Sequence, residues 1–169
     1  TSMGFTPLEG MVMGTRSGDI DPAIIPFLVE KERMEPQAIL NMLQKESGLK
    51  ALGGASDVRD LLAREKTDPA AKLALDLFAY RIKTRIGAYI AALGGVDIIV
   101  LGGGIARSSV MRERILERME YFGVKLDQKA NAQKSLPNRI AKGKTLVYVL
   151  DVDEQAHMLK LARKYLKTA

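Results

Sequence analysis

The chain has 169 residues, 47% of them hydrophobic, 5% aromatic, with no tryptophan and no cysteine. That length and apolar content exclude a disordered chain and suit one domain with a core of Leu, Ile, Val, Met and Ala, while the lack of cysteine excludes disulfides, thiolate metal sites and a cysteine nucleophile and fits a cytoplasmic protein. The net charge of +6 reads as a solvated face rather than a nucleic-acid surface, and suits an anionic small molecule only weakly, because the basic residues are spread along helical stretches, with a mild cluster at Lys160, Arg163, Lys164 and Lys167 and no interleaved aromatics for base stacking.

In chain order, Thr6 to Met13 reads as a short helix with Thr6 as N-cap and Pro7 at the first helical position. Gly14 to Asp19 is a loop rich in glycine and hydroxyls. Asp21-Pro22 opens a helix to about Lys31, and Pro36 to Glu46 makes another with Ile39, Met42 and Leu43 on one face. Gly48 to Ser56 reads as a glycine-bearing loop, and Asp57 to Arg64 as a short helix. Pro69 to Leu93 is the most regular helix: Leu75, Phe78, Ile82, Ile86, Tyr89 and Leu93 recur at intervals of three and four, and Gly94-Gly95 ends it. Its Asp76, Arg81, Lys83 and Arg85 make it too charged to cross a bilayer, and no signal peptide is visible.

Asp97 to Leu101 is an apolar run flanked by glycine, the pattern of a parallel strand buried on both faces. Gly102-Gly103-Gly104 follows, and Ser108 or Ser109 caps a helix to about Tyr121 with Val110, Ile115, Met119 and Phe122 as its apolar stripe. Val124 to Ser135 is loop-like. Thr145 to Leu150 is the second strand, and Asp153 caps a last helix to about Lys167. The pattern is α/β with two parallel strands, too few for an independently stable sheet.

Several segments carry a resemblance. The opening Thr1-Ser2-Met3-Gly4-Phe5-Thr6-Pro7-Leu8-Glu9-Gly10, with Gly14-Thr15-Arg16-Ser17-Gly18-Asp19-Ile20-Asp21-Pro22, is similar to a signature of the acetate and propionate kinases. Ser56-Asp57-Val58-Arg59-Asp60, Ala79-Tyr80-Arg81-Ile82, Ile86-Gly87-Ala88-Tyr89, the strand at 96–100 with its triple glycine, and Phe122-Gly123-Val124-Lys125-Leu126-Asp127 continue it in order. The family's signature lies in mid-chain, and this chain starts on it without an initiator methionine. The resemblance therefore implies the back part of such a protein, with the first domain absent. The implied fold is a predominantly helical, incomplete actin/Hsp70/sugar-kinase-like (ribonuclease H-like) domain that lacks its first three strands. The implied reaction moves a phosphoryl group between ATP and acetate, with Mg²⁺, in a homodimer or in association with a separate N-terminal part, and with no membrane partner. Such a chain alone is expected to turn over little, because the acyl side of the cleft, catalytic histidines included, lies in the absent part. The alternative is a non-catalytic nucleotide-binding or interaction module, a remnant or one half of a split kinase.

The resemblance also implies site residues. Arg16 matches the arginine that stabilises the transferring phosphoryl group; without the signature it would read as a surface arginine on a loop. Asp57, Val58 and Arg59 match a segment beside the adenosine, where Asp57 can accept ribose hydroxyls and Arg59 can stack on a base, or Asp57 is simply a helix cap beside a solvated arginine. Gly103, Gly104, Ile105, Ala106 and Ser108 match a second adenosine-side element, a strand followed by tight glycines and a helix N-terminus. The family has Gly-Ile-Gly-Glu-Asn where this chain has Gly104-Ile105-Ala106-Arg107-Ser108, so Ala106 adds a Cβ and Arg107 reverses a charge. Glu154 matches a glutamate that holds Mg²⁺, or is an acidic residue at a helix start. His157, the single histidine, reads as a surface or half-buried helix residue.

Overall fold

The computed structural model describes residues 1–166. The chain divides into two compact units, Thr1–Gly94 and the residues from Gly95 onward. Lys167, counted above in the basic cluster and the last helix, lies outside the described residues.

In the first unit, the helix expected over residues 6–13 is a turn. Thr6 Oγ1 accepts the Leu8 N–H at 3.1 Å and its carbonyl takes the Glu9 N–H. Gly10 then adopts φ 101°, which no helix continues through. Helix α1 (Ile24–Glu30) follows Asp21, whose side chain accepts the Ala23 N–H. Helix α2 (Pro36–Lys45) starts on its proline as expected and buries Ile39.

The stretch read as a glycine loop contains helix α3 (Gly48–Gly53). Packing makes it: Leu49 is wholly buried, and Gly53 sits so close to Leu61 and Ala74 that an added Cβ would stand 2.7 and 2.9 Å from them. Helix α4 (Val58–Arg64) has Asp57 as its N-cap. Helix α5 (Pro69–Leu93) begins with Asp68 accepting the Ala70 and Ala71 N–H groups and Pro69 at the first position.

Helices α3 and α4 pack on α5, which buries Ala71, Ala74, Leu75, Phe78 and Ala79 toward its start. Wholly buried Leu61 and Leu75 each contribute about 2 kcal/mol to this core. The stripe predicted along α5 holds for Leu75 and Phe78, but Tyr89 and Leu93 near its end are exposed.

In the second unit, strand β1 (Ile98–Leu101) is followed by a 3₁₀ turn at Ile105–Arg107 and helix α6 (Ser109–Leu116). Ser108 is the α6 cap, its Oγ accepting the Met111 N–H. The helix stops well before Tyr121, and Arg118 takes φ 61° beyond it. Met111, Ile115, Leu116 and Met119 form the buried stripe, whereas Val110 and Phe122 lie outside it. The loop-like stretch holds helix α7 (Gln128–Asn131), capped by Asp127.

The sheet has three strands, not two. Strand β2 (Asn138–Arg139) pairs antiparallel with β3 (Leu146–Val149), and β1 pairs parallel with β3, in the order β1-β3-β2. Thr145, just before β3, is buried with its Oγ1 2.6 Å from the Phe122 carbonyl and 3.0 Å from that of Val96. Strand β1 is not buried on both faces: Ile99 faces the core, while Ile98 and Val100 are 53% and 55% exposed. Helix α8 (Glu154–Leu166) begins with Asp153 accepting the Ala156 N–H at 2.8 Å, buries no residue, and leaves His157 exposed as expected.

Candidate functional site

Arg16 rides on a loop that is fastened to the link between α2 and α3. The Ser17 N–H bonds to the Leu43 carbonyl at 2.9 Å, and Ser47, Leu49 and Lys50 donate to the carbonyls of Thr15, Met13 and Gly14. Thr15 Oγ1 adds a bond to the Gln44 carbonyl at 2.9 Å. This docking requires Gly48: it has φ 64°, and a Cβ there would collide with the Met13 carbonyl oxygen. The loop backbone is thus fixed while the Arg16 guanidinium is left almost unspent. Its one hydrogen bond is from Nη1 to Met13 Sδ at 3.6 Å, with no carboxylate partner among the described residues.

The same loop meets the start of α4. Gly14 approaches Ser56 so closely that an added Cβ would lie 2.8 Å from the Ser56 carbonyl oxygen. Arg16 and the Asp57–Arg59 segment therefore belong to neighbouring elements of one unit. Asp57 is heavily engaged: Oδ1 caps the Arg59 N–H at 2.8 Å, and the Arg59 guanidinium grips both carboxylate oxygens. That grip, aided by the backbone N–H, holds the Asp57 carboxyl down at about 2 from an ordinary 3.8. Val58 is buried under α4, so it supports the segment without presenting a polar group.

In the second unit, the turn after β1 and the start of α8 come together. Val152 lies over Gly102, and a Cβ on Gly102 would stand 2.7 Å from its Cγ2. Arg107 Nη2 pairs with Asp151 Oδ1 at 2.6 Å. A cavity of about 310 Å³ is lined there by Arg107, Asp151, Val152, Asp153, Glu154 and Gln155. Gly103 and Gly104 open onto free space, with nothing within 4 Å of an added Cβ. Ile105 and Ala106 form the 3₁₀ turn, with Ala106 buried, and Ser108 is occupied as the α6 cap. Glu154 is exposed at the first turn of α8. No group of three or more His, Asp or Glu side chains gathers as a metal cage among the described residues.

Two polar clusters escape sequence reasoning. Asp19 accepts the Gly10 N–H at 2.6 Å and pairs with Arg81 and Arg85, one helical turn apart on α5, at 3.3 and 2.9 Å. All three lie in or beside quoted motifs, but their distance in sequence hid the contact. Arg112 is buried and bonded to Ala106 and Asn131. Its signal was available: positions 112, 115, 116 and 119 make one helical stripe, with an arginine in an apolar place.

Comparison with known proteins converges on the same class. The crystal structure of Porphyromonas gingivalis acetate kinase superposes with a TM-score of 0.91 at 37% identity, covering 98% of this chain and 43% of that one. A propionate kinase structure from Francisella tularensis gives 0.83 at 33% identity, covering 90% and 40%. The fold is therefore the actin/Hsp70/sugar-kinase-like one, in part. The Acetokinase family model matches residues 1–160, and this chain belongs to that family. The acetate kinase of Oleidesulfovibrio alaskensis is 46% identical over 99% of this chain and 43% of its own length. That of Bacillus cytotoxicus is 51% identical over 78% of this chain and 34% of its own length. The chain thus spans about two fifths of the length of the relatives it matches.

Proposed function

We propose that this chain is the nucleotide-side part of a phosphotransferase that moves a phosphoryl group between ATP and a short-chain carboxylate, ATP and acetate giving ADP and acetyl phosphate. The observation that carries the reading is Arg16, a guanidinium free of carboxylate partners among the described residues on a backbone pinned by hydrogen bonds. A cation fixed in advance is what stabilises charge developing on a migrating phosphoryl group. By the family resemblance, Asp57, Val58 and Arg59 are candidate nucleoside contacts within the first unit, and Gly103, Gly104, Ile105, Ala106 and Ser108 are candidate nucleoside contacts within the second.

Glu154 fits a magnesium ion that arrives with the polyphosphate. It has no hydrogen bond or ion pair among the described residues, whereas Asp151 is paired with Arg107 and Asp153 caps α8. A hard, octahedral cation is satisfied by one carboxylate plus phosphate oxygens and water, and when bound it neutralises phosphate charge. Among the described residues no helix is long and apolar enough to cross a membrane. A cytoplasmic location is part of the same proposal and rests on the family resemblance. The acyl-binding wall would lie in the part of the relatives' length that this chain does not span, and the partner would be a second copy of the chain or that N-terminal part.

The chain alone is then expected to bind ATP–Mg²⁺ but to turn over little. Calorimetric titration with ATP–Mg²⁺ and a coupled ADP-release assay with acetate check this; wild-type-like turnover by the chain alone would refute the partition of the site. A second reading, a non-catalytic nucleotide-binding or interaction module, is favoured by one observation. Asp57 and Arg107 already have internal partners in Arg59 and Asp151. Binding without turnover, even after the front part of a relative is added, would select that reading.

A further inference from the structure

Arg112 is 3% exposed, and its guanidinium reaches back from α6 beneath the glycine turn. Nη1 donates to the Ala106 carbonyl at 2.6 Å, Nε donates to Asn131 Oδ1 at 2.7 Å, and Nη2 donates to the Asn131 carbonyl. Asn131 is buried too, and its Nδ2 donates to the Ser109 carbonyl at 3.0 Å. Its backbone N–H bonds to the Asp127 carbonyl at the cap of α7. One carbonyl of the turn and the first carbonyl of α6 are therefore both tied to α7.

None of these partners is a carboxylate. Among the described residues the buried charge is met by carbonyl dipoles alone, and an apolar side chain in its place would leave those three acceptors unsatisfied. The guanidinium therefore supports the fold, and it does one thing more. What an apolar residue could not do is hold the Ala106 carbonyl at a fixed place, and with it the spacing between the open Gly103-Gly104 corner and the α6 cap.

We propose that Arg112, seated on Asn131, is the positioning residue that sets the Gly102–Ser108 turn for the nucleoside half of the ligand. The proposal rests on the nucleotide-binding reading above. Its two consequences are separable: the turn loosens when the clamp is cut, and the loss of binding falls on ligands that carry a nucleoside.

The experiment uses the full chain with Arg112→Met, Arg112→Lys and, in case the first does not fold, Asn131→Ala. Amide hydrogen exchange is read at Arg107 and Ser108, which bond to Gly104 and Ile105, and at Leu146 on β3, whose N–H donates to the Asp97 carbonyl at 2.9 Å, as an internal reference. Calorimetry is run with ATP–Mg²⁺ and, separately, inorganic tripolyphosphate–Mg²⁺. Cutting the clamp is expected to speed exchange at Arg107 and Ser108 about tenfold, with Leu146 unchanged, and to weaken ATP binding about tenfold while tripolyphosphate binding holds. Lysine, which keeps one donor, should recover part of both effects.

Unchanged exchange at Arg107 and Ser108 overturns the clamp. Equal losses for ATP and tripolyphosphate overturn the positioning role and leave a structural one. If the wild-type chain binds neither ligand, the functional reading fails, and the positioning role for a nucleoside fails with it. The exchange measurement still decides whether the clamp itself exists.

Discussion

Arg85 donates from Nη2 to Asp19 Oδ2 at 2.9 Å, joining residues 66 positions apart. Asp19 Oδ1 meanwhile takes the Gly10 N–H, and the Asp19 N–H returns a bond to the Gly10 carbonyl. Residues 10 and 19 are thus a closed base from which the Arg16 loop projects, and α5 anchors that base. Asp19→Ala should lower unfolding stability by about 1 kcal/mol, since the carboxylate is partly solvated. Arg85→Ala should cost more than Arg81→Ala, whose bond is longer at 3.3 Å. Urea denaturation at low and high salt measures both, and the effect of Arg85→Ala should shrink as salt rises.

Arg16→Ala separates chemistry from folding. The side chain makes one hydrogen bond, to Met13 Sδ, and no ion pair among the described residues, so the thermal midpoint should move by no more than about 2 °C. In an assembly that turns over, kcat should fall by about 10³, the scale of an arginine that stabilises phosphoryl transfer. Lysine at this position should recover only part, because it lacks the planar fork of donors. Calorimetric melting and the ADP-release assay read the two quantities.

The Asp57 carboxyl gives a pH signature. Its value is lowered from 3.8 to about 2 in the folded chain, chiefly by the Arg59 side chain. The folded state therefore holds fewer protons there than the unfolded state between those values. Its contribution to stability is complete above about pH 4 and disappears as pH falls through about 2. Arg59→Ala should move the titration back toward 3.8 without reaching it, since the capped N–H remains. Carboxyl carbon shifts in an NMR titration follow both variants.

Two glycines with opposite surroundings should respond in opposite ways. Gly48→Ala meets the Met13 carbonyl at φ 64° and should destabilise the first unit by about 2–4 kcal/mol. Gly104→Ala meets nothing within 4 Å and should leave stability nearly unchanged. If it weakens ATP binding while melting normally, the open corner at Gly103-Gly104 is ligand space. Paired melting curves and titrations make the comparison.

Most helices were legible because their signals are local. Pro69 with Asp68 marks the start of α5, Asp57 caps α4, and Ser108 caps α6. The failures were tertiary. Leu49, Lys50, Ala51 and Leu52 are good helix formers, but four residues between glycines are too few to hold a helix until Gly53 lets it lie against Leu61 and Ala74. Thr6-Pro7 carries true helix-start chemistry, but Gly10 turns away to meet Asp19. Strand β2 is two residues held by pairing with β3, with no alternation to reveal it. Of the site, the motif-bearing segments were readable. What they touch was not: the Asp57–Arg59 grip, the Arg107–Asp151 pair and the Arg112–Asn131 seat depend on side-chain directions that spacing does not specify.

Strand β1 turns Ile99 and the half-buried Leu101 inward and shows Ile98 and Val100 to the outside. The strand is consequently separable by side: its outer positions are available for solubility engineering. Ile98→Thr with Val100→Thr keeps β-branched geometry, so the register with β3 should survive. The doubly altered chain should stay dispersed to higher concentration in light scattering while melting within a few degrees of the parent, about what an exposed site allows.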